Sequence, residues 1–583
     1  MDDLKPNPLQ SLGAGYRATR FLPPQVTVRT DDGAIYLRHP DALVNPHRNL
    51  ISLLLSAAKR FGDRPFLHER PAPGEPWRSV SYESFADLAA RTAGRLANEG
   101  IGRGDAVVIL ARNSIAHAAA TFGAMALGAV AVPLTPLYLA HPSGADILRR
   151  LSSAAGAKLA LVDADLWAGP GPDLNLCDRS LPLQDVSDGS GGAIDLEAAE
   201  AAIAPDDLAK ILFTSGSTGT PKPTPNTHGM LTAAAAMVDQ AGAKPASGEP
   251  EVMVDWLPWH HTYGGNVNLH AALQAGGRFH IDAGSPTAAG LPVSLANLAD
   301  VGPTILTTVP AAFGPMLSAF RADPVLARAV FRNLSRMSFG GAALAASVVD
   351  AYQDLARELI GARMQFGSGY GMTETGGILA LVYWPTERGD LLGLPLPGVD
   401  FKLVPQEDGR YECRVRGDNI FKGYIGHTDQ PFDDEGFFIT GDAVRAADPE
   451  DWGQGLVFAG RVAEDFKLAN GVWVRAGGLR SEALDRLGPL ALDAVVVGAD
   501  RDEVGLLLLP AAGVTEQALR ERLGGLYDGR SASSRITCAA ALKSPPDVRS
   551  GELTAKGTLN AARVNAARSA EIEILFQDPA CRI

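Results

Sequence analysis

The sequence has little of several features that would exclude or assign whole classes of protein. Its 583 residues include four cysteines, and no two stand at the Cys-x-x-Cys spacing of a zinc or redox site. No apolar run approaches the ~18 residues of a membrane span, and no signal-peptide core follows Met1. Acidic residues outnumber basic ones, 66 against 52, so the net charge of −14 lacks the footprint of a nucleic-acid binder. These absences predict a cytoplasmic protein with reduced thiols that binds neither membranes nor nucleic acids.

The composition itself is that of a globular protein, with 46% hydrophobic and 20% charged residues. Short apolar runs such as Ala106 to Leu110 alternate with helical patterns such as Ser114 to Leu127. This alternation predicts an α/β fold with mainly parallel sheets. We expect residues 1–45 to form an extended arm, residues 169–192 a surface loop, and the residues from Ala570 onward an unstructured tail.

The sharpest motif follows a predicted strand, Lys210 to Thr214, and precedes a predicted helix that Thr227 can cap. Glycines let the backbone turn its N–H groups inward, hydroxyls add donors, and a lysine adds positive charge, which together suit phosphate. A flexible linker is the plain alternative, but small residues closed by Pro-Lys favour a phosphate loop. The candidate nucleotide-binding residues are Thr214, Ser215, Gly216, Ser217, Thr218, Gly219 and Lys222.

Further motifs follow in a fixed order, at Ser338–Leu344, Gly369–Thr375, Thr440–Asp442 and Gly460–Lys467. Together with the phosphate loop, they resemble the motifs of the adenylate-forming superfamily, which holds acyl-CoA synthetases, luciferases and adenylation domains. The resemblance implies an α/β protein whose large N-terminal domain, residues 1–460, has mixed sheets flanked by helices. It also implies a small mobile C-terminal α+β domain, residues 461–583. ATP, Mg²⁺ and coenzyme A are the implied cofactors and substrates.

The resemblance also implies roles for individual residues around the nucleotide. Asp442 is a carboxylate suited to accept both ribose hydroxyls, with Arg461 behind it, although a plain turn aspartate is the alternative. Thr373 would donate to the α-phosphate, and Glu374 would hold Mg²⁺, which prefers oxygen ligands. The remaining implied nucleotide contacts are Gly341, Ala342, Tyr370 and Gly371.

An aromatic segment from Trp256 to Asn266 is the candidate acid-binding loop. The resemblance places His261 near the acyl carboxylate, and Tyr263 where hydroxycinnamate ligases carry a tyrosine that lines the substrate. Aromatic side chains suit a flat aromatic acid, but plain core roles for Trp259 and Tyr263 are equally open. The implied substrate-binding residues are His261, Tyr263, Gly340 and Gly371.

The lysine that would assist adenylation is expected in the second domain, which rotates between the two steps in the family. The best candidate is Lys556, in the segment Gly551–Gly557. An ordinary exposed lysine is the alternative, because this segment departs from the usual Ser-Gly-Lys pattern. The implied catalytic residues are thus Lys556, His261, Thr373 and Glu374.

Departures from the superfamily pattern favour one branch of it. Pro223 replaces the usual glycine after the loop lysine, and Ala463 stands where many members carry a hinge Asp or Lys. Residues 256–266, 463–468 and 551–557 resemble the feruloyl-CoA synthetase branch, which implies a phenolic acid and phenylpropanoid catabolism. A CoA ligase for another aromatic or fatty acid, a carrier-loading adenylation domain, and a non-catalytic nucleotide-binding homologue stay open. So does the oligomeric state, with a homodimer as one candidate.

Overall fold

Two large sheets organise the chain in a computed structural model, which describes residues 15–17, 19–140, 143–167, 174–214, 221–406, 409–428, 430–511, 513–546, 551–552 and 559–583. The strands in chain order are β1 Thr19–Arg20, β2 Thr27–Asp31, β3 Ala34–Arg38, β4 Pro65–Glu69, β5 Arg78–Ser81, β6 Ala106–Leu110, β7 Val130–Leu134, β8 Ala157–Val162, β9 Ser180–Pro182, β10 Leu208–Thr214, β11 Lys222–Thr227, β12 Lys244–Pro245, β13 Val252–Asp255, β14 Arg278–Ile281, β15 Ile305–Thr308, β16 Arg336–Gly340, β17 Gln365–Tyr370, β18 Ala380–Leu381, β19 Leu391–Pro395, β20 Val399–Pro405, β21 Tyr411–Gly417, β22 Phe438–Ala446, β23 Leu456–Arg461, β24 Phe466–Lys467, β25 Trp473–Val474, β26 Ala491–Val497, β27 Val504–Pro510 and β28 Ile536–Ala541. The α-helices in chain order are α1 Leu50–Phe61, α2 Tyr82–Asn98, α3 Ile115–Ala126, α4 Gly144–Ala154, α5 Ala164–Trp167, α6 Leu183–Ser187, α7 Leu196–Ala202, α8 His228–Ala241, α9 Leu269–Ala275, α10 Leu291–Val301, α11 Pro310–Ala322, α12 Pro324–Phe331, α13 Ala346–Ile360, α14 Ala476–Leu487, α15 Glu516–Leu523, α16 Ala561–Ala567 and α17 Ser569–Gln577.

The smaller of the two sheets has six strands in the order β11-β10-β7-β6-β8-β9, and its neighbours run parallel except β10 and β11. Strands β6 and β7 are buried along their whole length. Burial on both faces explains why these strands are continuous apolar runs rather than alternating ones. Helices α1, α2 and α3 contribute Leu54, Phe85 and Phe122 to the adjoining apolar core.

The fifteen-stranded sheet is mainly parallel on one side and antiparallel on the other. Its strands β17, β16, β15, β13, β14 and β4 are successive neighbours and run parallel. From β2 across to β18 the pairs are antiparallel. Strands β18 to β23 follow one another without an intervening α-helix, and a parallel crossover would need one. The prediction of an α/β fold is confirmed, but the expectation of mainly parallel sheets is wrong for the part of this sheet between β2 and β18.

Capping residues bound the helices where the sequence indicates. The Ser114 side chain caps α3, and the Thr227 side chain caps α8 by accepting from the third helical N–H. At the other end, α13 stops at Gly361, whose φ of 67° is a left-handed conformation that glycine adopts without strain. The apolar periodicity from Leu344 to Ile360 predicts this helix, and the structure confirms its end at Gly361 while beginning it at Ala346.

Three stretches that were expected to lack regular structure contain some. Within the expected arm, β2 and β3 form a hairpin that pairs with β20. The expected loop at 169–192 contains β9 and α6, and the expected tail contains α17. In α17, Ile572 and Leu575 are buried in an apolar cluster with Val495. Such tertiary contacts stabilise a helix that is too short to be recognised from its own periodicity.

The C-terminal part of the chain has apolar cores of its own. Strands β26, β27 and β28 form a three-stranded sheet, and two apolar clusters draw their described members from residues 466–583. All four cysteines are free thiols. None of the described helices is long and apolar enough to cross a membrane.

Candidate active site

The carboxyl ends of four parallel strands meet at one edge of the fifteen-stranded sheet. Here β13 ends at Asp255, β15 at Thr308, β16 at Gly340 and β17 at Tyr370. The register pairs Gly340 with Gly369, so these strands end nearly level. In open α/β sheets, ligands bind beyond the carboxyl ends of the strands. This edge is therefore the candidate site.

A buried carboxylate lies at the centre of the predicted ribose contacts. The Tyr370 hydroxyl donates to Asp442 Oδ2 at 2.7 Å, and Arg461 Nε lies 3.2 Å from Asp442 Oδ1. Asp442 and Arg461 are cross-strand partners on β22 and β23, so the sheet register sets their pairing. The Asp442 charge raises the pKa of Arg461. Because each carboxylate oxygen offers two lone pairs, Asp442 can still accept further hydroxyl donors.

A second cluster joins the loop lysine to the predicted metal ligand. Lys222 begins β11, and its Nζ lies 4.8 Å from the centre of the Tyr424 ring, where cation–π attraction favours it. The hydroxyl of Tyr424 donates to Glu374 Oε1 at 2.7 Å, and Glu374 is only 7% exposed. A cation and a carboxylate thus lie against the face and the tip of one tyrosine.

The surroundings of Glu374 fit the predicted Mg²⁺ role. Its hydrogen bond with Tyr424 uses one carboxylate oxygen and orients the other. Within the described ranges, no three His, Cys, Asp or Glu side chains gather into a metal-binding group. A single carboxylate suffices when nucleotide phosphates supply further oxygen ligands, which is a common arrangement for Mg²⁺.

The phosphate-loop motif connects two antiparallel strands. Strand β10 ends at Thr214, and β11 returns beside it before α8 begins after Thr227. The predicted helix capped by Thr227 is confirmed, and the strand β11, which was not predicted, lies between the loop and this helix. Because β11 is an edge strand, it accommodates Pro223 and Pro225, which cannot donate a backbone hydrogen bond. The predicted residues Ser215, Gly216, Ser217, Thr218 and Gly219 lie outside the described residues.

The candidate acid-binding segment continues into a π-helix, Tyr263–Asn268, so that its last four residues are part of this helix. The imidazole rings of His260 and His261 lie 4.4 Å apart, and desolvation lowers the pKa of His260 well below its usual value. Asn113 holds the preceding loop by accepting from the Trp259 backbone N–H at 3.0 Å. A π-helix in otherwise regular structure is rare and often marks a functional site.

Tyr263 packs against the glycine that ends β16. A Cβ built at Gly340 would stand 3.3 Å from Tyr263 Cε1, so the missing side chain leaves room for the ring. The structure therefore brings these two predicted substrate-binding residues together. At Gly371 a Cβ would lie 2.3 Å from the Gly377 carbonyl oxygen, so the backbones there need a glycine.

Other predicted residues fall at the same edge, while one lies outside the described residues. Gly341, with φ of 88°, and Ala342 follow β16 on the exposed rim. Thr373 begins the 3-10 turn Thr373–Thr375. Lys556 belongs to the ranges that the structure does not describe.

Both flanks of the segment that contains Lys556 are anchored. On one side Glu552 is 3% exposed and accepts two hydrogen bonds from the Arg568 guanidinium, at 2.6 and 2.9 Å. On the other side the Leu559 N–H donates to Asp493 Oδ2 at 2.7 Å. A bidentate, buried ion pair of this kind fixes geometry as well as charge.

Two further contacts at this edge escaped the sequence analysis. Tyr424 contacts Glu374 across 50 residues of chain, and Asn226 Nδ2 donates to the Thr373 carbonyl oxygen at 3.0 Å across 147. Neither partner stands in a local pattern with the residue that it supports. The one local signal at Tyr424 is the preceding Phe421-Lys422-Gly423, which indicates a turn but does not indicate a contact with Glu374.

A model of AMP-binding enzymes matches residues 54–425, well over half of the chain. The chain belongs to the AMP-binding enzyme family. This membership confirms the resemblance drawn from the motifs. Among curated proteins, the chain is similar to 4-coumarate–CoA ligase of Pinus taeda, with 26% identity over 511 residues, which cover 83% of this chain and 89% of that one. It is likewise 26% identical to 4-coumarate–CoA ligase 3 of Oryza sativa subsp. japonica, covering 80% and 83% of the two chains.

Solved structures of AMP-binding enzymes share the fold. The anthranilate CoA ligase AuaEII in complex with anthranoyl-AMP aligns with a TM-score of 0.71 at 18% identity, covering 90% of this chain and 98% of that one. The O-succinylbenzoate CoA synthetase of Bacillus subtilis, in complex with ATP and a magnesium ion, aligns with a TM-score of 0.69 at 19% identity, covering 88% and 99%. These likenesses confirm the expected fold.

Proposed function

We propose that the protein is an ATP-dependent acid–CoA ligase, which activates a carboxylic acid as an acyl-adenylate and transfers the acyl group to coenzyme A. One observation carries the proposal. The Tyr370–Asp442–Arg461 cluster and the Tyr263–Gly340 contact lie at the same edge of one sheet, so a nucleotide and an acid can meet there. The 4-coumarate–CoA ligases among the relatives support the same reaction.

In the first step, an acid oxygen attacks the α-phosphorus of ATP, and the bond to pyrophosphate breaks. Negative charge grows on the phosphates, so preorganised donors and cations lower the barrier. Lys222 supplies a cation, Thr373 a hydroxyl donor, and Asp442 holds the ribose. Mg²⁺ held by Glu374 would neutralise phosphate charge. His261 would orient the acid carboxylate.

In the second step, the coenzyme A sulfur attacks the acyl carbonyl carbon, the thiol loses its proton, and AMP leaves. We propose residues 1–460 as the large domain and residues 461–583 as the small one. The separate apolar clusters within residues 466–583 support this boundary. The small domain would carry Lys556 to the first step and move away for the second.

A phenolic acid such as ferulate is the proposed substrate class. The Tyr263 ring against Gly340 offers one flat aromatic wall, and offset or edge contacts with a second ring suit such a wall. The reaction assigned to the 4-coumarate–CoA ligase relatives also concerns a hydroxycinnamic acid.

The test is pyrophosphate release with Mg-ATP and ferulate, 4-coumarate, caffeate, benzoate or octanoate, each with and without coenzyme A. We expect CoA-dependent turnover with a hydroxycinnamate and formation of its thioester. Turnover with benzoate or octanoate alone would keep the ligase and reject the phenolic substrate. No turnover with any acid, combined with ATP binding by calorimetry, would favour a non-catalytic homologue.

The proposed role of Lys556 has its own test. Lys556→Ala should lower adenylate formation by about 100-fold or more, as expected for loss of one electrostatic stabiliser, and leave ATP binding unchanged. Lys543→Ala, at an exposed lysine of the same part of the chain, is the control. Adenylate formation at the native rate in the Lys556 variant would refute the assignment.

A further inference from the structure

A lysine lies buried beneath the candidate site, in a position that the reaction does not use directly. Lys210, on β10, is 2% exposed, and burial lowers its pKa to about 7. Its Nζ donates to the Gly265 carbonyl oxygen at 2.8 Å and to Asn266 Oδ1 at 3.1 Å. Burying an ammonium group is costly unless its hydrogen bonds are made, and both of these partners belong to the π-helix Tyr263–Asn268.

The hydrogen bonds continue from the π-helix to the nucleotide side of the site. Asn266 Nδ2 donates to Asn226 Oδ1 at 2.9 Å and to Thr262 Oγ1 at 3.0 Å. Asn226, on β11, in turn donates to the Thr373 carbonyl oxygen at 3.0 Å. Lys210 and Asn226 lie on the two strands that flank the phosphate loop. The network therefore connects the phosphate-loop hairpin, the acid-binding segment and the turn that contains Thr373.

The other end of the π-helix is attached to the second sheet. Asp255, at the carboxyl end of β13, accepts from Asn268 Nδ2 at 2.7 Å and from the Leu257 N–H at 2.7 Å. The π-helix is thus fastened to the six-stranded sheet through Lys210 and to the fifteen-stranded sheet through Asp255. Tyr263, its first residue, precedes both attachments and packs on Gly340.

We propose that Lys210 is a positioning residue that fixes the π-helix, and with it the Tyr263 ring, in the wall of the acid pocket. The inference rests on the proposed function for its kinetic consequence, but the attachment itself can be tested without activity. Loss of the Lys210 hydrogen bonds should release the π-helix from the six-stranded sheet. The acid would then bind a less ordered wall, while the ribose cluster on β17, β22 and β23 stays intact.

The experiment compares Lys210→Met, which keeps chain length and removes the donors, with Lys158→Met at an exposed lysine on β8 of the same sheet. Hydrogen exchange is measured on a peptide that spans residues 262–268. Lys210→Met should raise exchange there at least tenfold and leave β22 unchanged. The KM for the acid should rise about tenfold, which corresponds to ~1.4 kcal/mol, and the KM for ATP should change less than twofold.

Each outcome decides the inference. Unchanged exchange at 262–268 in Lys210→Met, or equal rises in both KM values, would overturn it. If the native protein shows no turnover, the proposed function fails, and the exchange measurement alone decides the role of Lys210. If Lys210→Met does not fold, Thr262→Val removes one acceptor of Asn266 at similar volume. We then expect a smaller rise in hydrogen exchange of the peptide 262–268 and a smaller rise in the KM for the acid. No change in either quantity would reject the proposal.

Discussion

At the scale of single residues, the candidate site depends on side chains whose partners fix their direction. Glu374 is buried, and its Oε1 atom accepts a hydrogen bond from the Tyr424 hydroxyl. The ring of the same tyrosine lies under Lys222. A carboxylate that is oriented in this way binds a hard cation better than a freely rotating one, because partners behind a ligand raise its affinity.

This arrangement predicts a graded response to substitution at Glu374 and Tyr424. Tyr424→Phe should raise the Mg²⁺ concentration for half-maximal adenylate formation roughly tenfold, within the range known for lost supporting hydrogen bonds. Glu374→Gln should raise it further, because the charge itself is lost. The measurement is a Mg²⁺ titration of the first half-reaction at saturating ATP. Tyr411→Phe, whose ring packs against Trp452, is the control, and equal Mg²⁺ dependence in all variants would contradict the role of Glu374 as a metal ligand.

The sequence predicts residues that lie in compact motifs and misses the residues that support them. Asp442 and Arg461 are recognised because each stands in a motif of its own, and the register of β22 and β23 then pairs them. Tyr424 and Asn226 are missed because their contacts span long stretches of chain. Such contacts follow from the tertiary fold, and no local spacing encodes them.

At the scale of elements, the π-helix is the least regular part of the site and the most dependent on its neighbours. Its second and third residues are glycines that lie against the preceding loop. A Cβ would stand 2.4 Å from the Leu257 carbonyl oxygen at Gly264, and 2.2 Å from the Trp259 carbonyl oxygen at Gly265. Both contacts are with backbone, so the loop would have to move for any side chain to fit.

Gly265→Ala should therefore displace the π-helix and weaken acid binding. We expect a loss of about 1–3 kcal/mol in the free energy of unfolding, as for other overpacked sites, and a rise in the KM for the acid. Thermal unfolding and acid-dependent pyrophosphate release measure the two effects. Gly478→Ala in α14 is the control, since its Cβ meets nothing within 4 Å. A Gly265 variant as stable and active as the native protein would show that this backbone contact is unimportant.

Helices and strands are predicted correctly where the sequence contains both an apolar periodicity and a residue that ends the element. The C-terminal end of α13 follows from its apolar periodicity and from Gly361. The hairpin of β2 and β3 is missed because it is stabilised by pairing with β20, several hundred residues later. The strand β11 is missed because Pro223 and Pro225 argue against a strand, and only its place at the sheet edge permits it.

At the scale of the whole molecule, one buried carboxylate connects the two proposed domains. Asp465 Oδ2 lies 2.5 Å from Arg410 Nη2 and 3.1 Å from Arg475 Nη1, and the side chains of Asp465 and Arg410 are almost fully buried. Arg410 precedes β21 in the large sheet, whereas Arg475 precedes α14 in the C-terminal part. Close by, a Cβ at Gly477 would lie 2.3 Å from the Gly460 Cα, so the backbones touch across the boundary. The hinge expected at the position of Ala463 is thus flanked by contacts that hold one orientation of the two proposed domains relative to each other.

Removing the Asp465 charge should free the C-terminal part to adopt other orientations. In Asp465→Asn, the buried ion pair with Arg410 loses its negative charge, and breaking a buried pair costs about 3–5 kcal/mol. We expect proteolysis near residues 461–465 to become at least tenfold faster, and the two half-reactions to change by unequal factors. Asp502→Asn, at an exposed aspartate of the same part, is the control. A purely local loss of stability would slow both half-reactions by the same factor. If proteolysis near residues 461–465 is as slow in Asp465→Asn as in the native protein, this carboxylate does not hold the orientation of the C-terminal part.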